Sequence, residues 1–296
     1  MSRKNSKELI SRKYDRRGFF AEIWRRMRTN PGAVFGLVVL VLILLTTLYG
    51  IVFISYEQVT ALDPLNRLKH PSAAHIFGTD EMGRDMFLRV IYGLRYSLSI
   101  AIGAVALAAV VGTFMGALAG YYGGTVDTAI MRTTDILSSI PAILLGMVVV
   151  SVLGNSLINL MLAIGLTAVP LFVRMSRASV LTVRGNEYIE AAQAIGMSSI
   201  RIIITQVIPN AISPIIVAFT SRIGTAILEV ASLSFVGFGV RVPLPELGSL
   251  ISGGRNFINK ALYITLFPGL FIMLTTFSFA QLGDGLRDAL DPRLKK

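Results

Sequence analysis

The stretch AVFGLVVLVLILLTTLYGIVFI, residues 33–54, sets the fold class. It holds no charge, and its length matches the ~20 apolar residues that one helix needs to cross a bilayer. A basic run precedes it, so a cleaved secretory signal is the competing reading. The apolar run is too long for a signal's core and no A-x-A-like cleavage site follows, so it reads as a retained first span. The whole chain repeats this character. Of 296 residues, 53% are hydrophobic and 15% charged, with a mean hydropathy of +0.67, whereas a water-soluble domain of this size needs more charge to cover its surface.

Other charge-free runs mark further spans. The second lies within residues 96–126. Residues 136–173 are too long for one helix, and Gly154-Asn155-Ser156 divides them into two short spans joined by a tight turn. A fifth covers roughly 213–233, after Pro209 and Pro214, and a sixth lies within 261–283, where Pro268 is expected to kink it. Six spans leave both termini on one side of the membrane. Lys and Arg identify that side. Arg3, Lys4, Lys7, Arg12, Lys13, Arg16, Arg17, Arg25, Arg26 and Arg28 precede the first span. With Arg132, Arg174, Arg177, Arg184, Arg201, Arg287, Arg293, Lys295 and Lys296 they make nineteen, against eight on the other side (Arg67, Lys69, Arg84, Arg89, Arg95, Arg241, Arg255, Lys260). Both termini are expected in the cytoplasm. The net charge of +11 is therefore a topology signal, and nucleic acid is not the expected partner. The chain divides into a basic segment 1–30, a first span and outer loop 31–92, a five-helix core 93–283 that carries a cytoplasmic loop 174–210, and a tail 284–296.

Composition also narrows the chemistry. There are no cysteines, and His70 and His75 are the only imidazoles, so thiolate metal sites and disulfides are excluded and no nucleophile–base constellation is visible. No Gly-Lys pair exists to build a phosphate-binding loop. Two outer segments, 57–95 and 234–260, exceed simple turns. The second is rich in Gly and Pro, lacks a clean helical period, and reads as a re-entrant segment at the outer mouth. On the cytoplasmic side, residues 187–198 have helical composition. Glu187, Glu190 and Gln193 recur at helical spacing, and Tyr188, Ala192 and Ile195 form the opposite stripe. Ala191 and Ala192 allow close approach of another surface, and Gly196 ends the helix. Docking in a partner's groove and resting on lipid fit this pattern equally.

Glu190-Ala191-Ala192, with Gly196 and then Pro209-Asn210, resembles the "EAA" loop of ABC-importer permeases, although Gln206 and Ile208 stand where that family usually has histidine and leucine. His75 to Asp80, Gly83-Arg84-Asp85 and Gly93 to Leu98 are similar to the outer-loop signature of the C-type subunit of peptide and nickel permeases. Ala119 to Gly124 with Asp127, Arg132 and Asp135, the tail Gly283 to Arg293, and the segment Trp24 to Pro31 extend the resemblance over nearly the whole chain. It implies an all-α polytopic protein with the type I ABC importer permease fold, in the inner (plasma) membrane of a bacterium or archaeon. The implied partners are a homologous B-type permease subunit, two ATP-binding subunits that hold ATP and Mg, and an extracytoplasmic solute-binding protein. The implied cargo is di- or oligopeptides, with nickel or a metal chelate as the alternative and an ion-gradient-driven carrier as a more distant one. Glu187, Glu190, Ala191, Ala192, Gly196 and Pro209 would couple the chain to the ATPase.

Within that frame, Thr79, Asp80, Gly83, Arg84 and Asp85 form a polar outer turn. Asp80 can accept backbone N–H groups and Arg84 can pair with Asp85 or Asp80; the turn either braces the loop or meets the docked binding protein. Ala104, Ala108, Gly112, Gly116 and Gly120 form a small-residue stripe expected to pack on a neighbouring span or a sister subunit. Arg222 and Glu229 fall inside the fifth span, where charge is expensive. They are seven residues apart, so partners on other helices are expected in preference to a direct pair, and both are candidates for the translocation path.

Overall fold

The computed structural model describes residues 16–290; Arg3, Lys4, Lys7, Arg12, Lys13, Arg293, Lys295 and Lys296 lie outside them. Among the described residues the secondary structure is helical, apart from one isolated bridge between Thr79 and Asp85. Helix α1 (Arg16–Met27) turns into α2 (Pro31–Phe53). Asn30 caps α2 by accepting the Ala33 N–H, and Pro31 sits in the first turn, where its missing donor is not needed. The short α3 (Tyr56–Thr60) opens the outer loop, and α4 (Met86–Tyr122) closes it. Next come α5 (Gly124–Ser139) and α6 (Ala142–Leu153), set at 90° to each other across Ile140-Pro141. Helices α7 (Leu157–Val183), α8 (Glu187–Ala194) and α9 (Ser199–Ile202) follow, and a π turn at Ile203–Val207 leads into α10 (Ile208–Phe235). Helices α11 (Leu247–Gly254) and α12 (Tyr263–Leu290) complete the order.

Among the described residues five helices are long and apolar enough to cross a membrane, and the count reaches six with the bent α5–α6 pair taken as one broken span. The six-span reading therefore stands, with changed boundaries. The outer loop ends at Asp85, not near residue 95, because the Asp85 carboxylate accepts the Leu88 N–H and caps α4 there. Arg89 and Arg95 are thus helical. Residues 136–173 do divide at Gly154, but unequally. The 12-residue α6 rises only ~18 Å, short of a ~30 Å hydrocarbon core. Helix α12 continues past Gly283 to Leu290, through the first residues of the expected tail.

The small-residue stripe finds its partner within the chain. Gly112, Gly116 and Gly120 lie against Phe172, Val173 and Val180 of α7, so the backbones of α4 and α7 nearly touch. Ser176 donates to the Thr113 carbonyl across the crossing at 2.7 Å, and Arg184 donates to the Gly120 carbonyl at 3.0 Å. The main core joins α2, α4, α7, α10 and α12 through residues such as Leu40, Leu94, Ile164, Ile227 and Ile264. Helix α2 turns Phe35, Leu42, Leu45 and Val52 outward, an apolar face suited to lipid.

Candidate functional site

Helix α8 is held at one end of the bundle by its apolar side. Ile189 and Ala192 are buried in a small cluster with Val180, Val183, Ile202 and Val207. This corrects the expected stripe: Tyr188 is exposed and Ile195 is 78% exposed, so the seat is Ile189 with Ala192. The cause is the orientation that the chain takes from its packing on α7 and the π turn, which a stripe of three residues cannot specify. Gln193 donates to the Tyr121 hydroxyl at 3.0 Å and ties the helix to the end of α4. The C-terminus closes as a Schellman turn: Met197 N–H reaches Ala192 O, Gly196 N–H reaches Gln193 O, and Gly196 takes φ +79°. Glu187, Glu190 and Ala191 face outward together with Tyr188 and Ile195. Pro209, also exposed, has no N–H for Thr205 O, and the turn before it is wound as a π turn. Asn210 donates its side-chain amide to Gln206 O at 2.6 Å.

The outer turn is a brace. Asp80, 2% exposed, accepts the Met82 and Arg84 N–H groups at 2.9 Å each and the Arg84 Nε at 2.7 Å. Arg89 adds its guanidinium 3.4 Å from the same carboxylate, while its Nε finds no hydrogen-bond acceptor. Of the two expected partners, Arg84 takes Asp80; Asp85 is engaged as the α4 cap and with His75 Nδ1 at 2.9 Å. Thr79 donates to the Asn66 carbonyl, accepts the Lys69 N–H, and its own carbonyl accepts the Tyr263 hydroxyl. Gly83 sits so close to the Asp63 carbonyl that a Cβ could not be accommodated. Thr79, Asp80, Gly83 and Arg84 are all buried, so they shape the surface of this loop without forming it.

Arg222 and Glu229 meet directly, contrary to the expectation of separate partners. Two parallel hydrogen bonds of 2.7 Å join the guanidinium to the carboxylate, and Arg222 also donates to Thr225 Oγ1 at 2.9 Å. Seven residues of helix rise about 10 Å, but side chains lean toward the helix N-terminus, so Glu229 reaches back while the long arginine extends forward. Glu229 borders a narrow crevice with Ala142, Gly146, Thr167 and Leu233.

Sequence reasoning overlooked Glu246. It is fully buried, caps α11 by accepting the Gly248 and Ser249 N–H groups at 2.9 Å, and accepts the Ser97 hydroxyl of α4 at 2.8 Å. The segment read as irregular thus contains a short helix pinned to α4. An acidic residue immediately before Leu247-Gly248 is a helix-start signal, masked by the surrounding Gly and Pro. Arg89 was overlooked as a partner of Asp80 because it was read as loop. Among the described residues no group of His, Asp and Glu gathers as a metal site.

Known proteins resemble this chain in sequence and fold. The family described as binding-protein-dependent transport system inner membrane component matches residues 112–296, and the N-terminal transmembrane domain of oligopeptide transport permease C matches residues 18–71. The dipeptide transport system permease protein of Alkalihalophilus pseudofirmus is 44% identical over 274 residues, covering 93% of this chain and 90% of that protein. Its counterpart in Haemophilus influenzae is 39% identical over 280 residues, covering 93% and 95%. The glutathione transport system permease protein of Escherichia coli O157:H7 is 40% identical over 274 residues, covering 93% and 90%. Among solved structures, the inward-facing MetNI methionine ABC transporter aligns with a TM-score of 0.57 at 19% identity over 70% of this chain and 98% of that one, a likeness of fold.

Proposed function

The chain belongs to the family of binding-protein-dependent transport system inner membrane components, and on that premise we propose that it forms one half of the path of an ATP-driven importer of di- or oligopeptides. A homologous B-type permease subunit supplies the other half. Two ATP-binding subunits hold ATP and Mg, and a solute-binding protein delivers cargo from outside. Both termini face the cytoplasm of a bacterial or archaeal cell, following the Lys and Arg distribution. The chain does no covalent chemistry of its own; it carries motion and lines the route. Peptide cargo is favoured over nickel by the names of the relatives.

The observation that carries the reading is the geometry of α8. Its apolar side is anchored by Ile189 and Ala192, while Glu187, Glu190 and Ala191 point away from the bundle. A short helix gripped on one side and free on the other transmits force to whatever it is rooted in, here α7 and the π turn leading to α10. When the ATPase subunits close, α8 moves with them, and the spans tilt to alternate the exposure of the path. Pro209 lies at the base of α10, where that movement enters the span.

The test is a cysteine at Ala191 in the full assembly. Crosslinking to an ATP-binding subunit is expected, and the Glu187→Lys, Glu190→Lys variant is expected to assemble yet lose at least tenfold of its ATP-dependent uptake. Absence of any crosslink together with wild-type uptake by the double variant would sink the reading.

A further inference from the structure

A polar stripe runs along α10. Arg222, Thr225, Glu229 and Ser232 share one face, and Thr225 is exposed in the isolated chain. Hydrocarbon does not tolerate such a face, so in the membrane it borders the route or the second permease subunit. The crevice beside Glu229 shares Ala142 and Thr167 with a larger hollow of about 480 Å³ that continues past Ser138 and Pro170 to Arg174. At that end a second pair repeats the chemistry: Arg174 lies 3.1 Å from Asp135 and donates to Ser138 Oγ at 2.9 Å. Two adjoining hollows that share Ala142 and Thr167 thus have Glu229 of one arginine–carboxylate pair at one end and Arg174 of another at the other end.

We propose that the Arg222–Glu229 pair is a specificity element for cargo bearing both a free carboxylate and a free ammonium group, and that such cargo passes by exchanging partners with it. The inference rests on the importer reading above. The fork of Arg222 is bidentate on Glu229, the geometry in which a guanidinium also holds the terminal carboxylate of a peptide. An anion that takes Arg222 strands Glu229, and a cation that takes Glu229 strands Arg222; either leaves one charge unpaired in a low-dielectric setting. A zwitterion replaces both partners at once. The termini of a dipeptide lie within about 7 Å of each other, a span that the two side chains accommodate by parting. Rejection of singly charged cargo thus comes from the stranded partner, an element of specificity built by repulsion. Arg174 with Asp135 offers the next exchange further along.

The experiment uses the complete assembly in proteoliposomes with its own binding protein and saturating Ala-Glu or Ala-Lys, so that delivery is the same for every variant and the ratio of maximal uptake rates is read. Glu229→Gln leaves Arg222 unopposed and is expected to raise the Ala-Glu to Ala-Lys ratio at least fivefold. Arg222→Gln is expected to lower it by a similar factor. The reversed pair, Arg222→Glu with Glu229→Arg, restores a neutral pair and is expected to return the ratio to within twofold of wild type. A ratio that moves in the same direction in both single variants, or not at all, overturns the proposal, and so does failure of both single variants to assemble, which would make the pair a structural brace. If the wild-type assembly imports neither dipeptide, the importer reading itself has failed, an outcome separate from these.

Discussion

Replacing Gly116 by alanine tests the contact on which the bundle turns. A Cβ at this position would stand 2.3 Å from the Val173 carbonyl oxygen, 2.7 Å from Ser176 Cβ and 3.0 Å from the Arg177 nitrogen. Two of these three are backbone atoms, so no rotamer change relieves the clash, and α4 and α7 must separate by about 1 Å to restore ordinary contact. A gap of that size forfeits a quarter to a half of each dispersion contact along the crossing, and Gly112 and Gly120 lie one turn to either side. The Ser176 to Thr113 hydrogen bond, 2.7 Å long, would stretch beyond useful range. Overpacking of this kind costs about 1–3 kcal/mol and the lost hydrogen bond about 1 kcal/mol more. Thermal unfolding of the assembly in lipid nanodiscs reads the effect as a midpoint lower by several degrees. Gly253→Ala is the control, since a Cβ there meets nothing within 4 Å. Equal midpoints for Gly116→Ala and Gly253→Ala would show that these helices do not touch in the membrane, and the packing argument would fail.

Two further predictions concern the outer face. Asp80→Ala removes the one carboxylate shared by buried Arg84 and Arg89. Breaking a buried pair in this way costs about 3–5 kcal/mol, so the loop before α4 is expected to become protease-sensitive; unchanged digestion at residues 61–85 would refute the brace. Glu246→Ala strands the Gly248 and Ser249 N–H groups and the Ser97 hydroxyl, at about 1–3 kcal/mol for each buried group left unpaired. Hydrogen exchange at α11 is expected to speed up in Glu246→Ala and only slightly in Glu246→Gln. Equal exchange in wild type and Glu246→Ala would show that the cap does not hold the segment.

Much of the candidate site was legible as residues and little of it as pairs. Glu190 and Gly196 announced a short helix and its end, because capping and positive φ are local properties. Which side of that helix is buried was misread, since Tyr188, Ala192 and Ile195 are a plausible stripe until Val180 and Ile202 claim Ile189 instead. Arg222 and Glu229 stood out as charges in a span. Their mutual bond was missed because a seven-residue separation ignores the lean of helical side chains.

From the sequence by itself come the membrane class, the number of spans, the turn at Gly154 and the helix end at Gly196, because hydrophobic length and backbone freedom act within a few residues. Tertiary structure alone decided that Gly116 meets Val173, that Asp80 holds Arg89 beside Arg84, and that Glu246 reaches Ser97, 149 positions away in the chain. Those contacts depend on how helices cross, and a crossing is set by the simultaneous fit of surfaces whose residues carry no local record of one another.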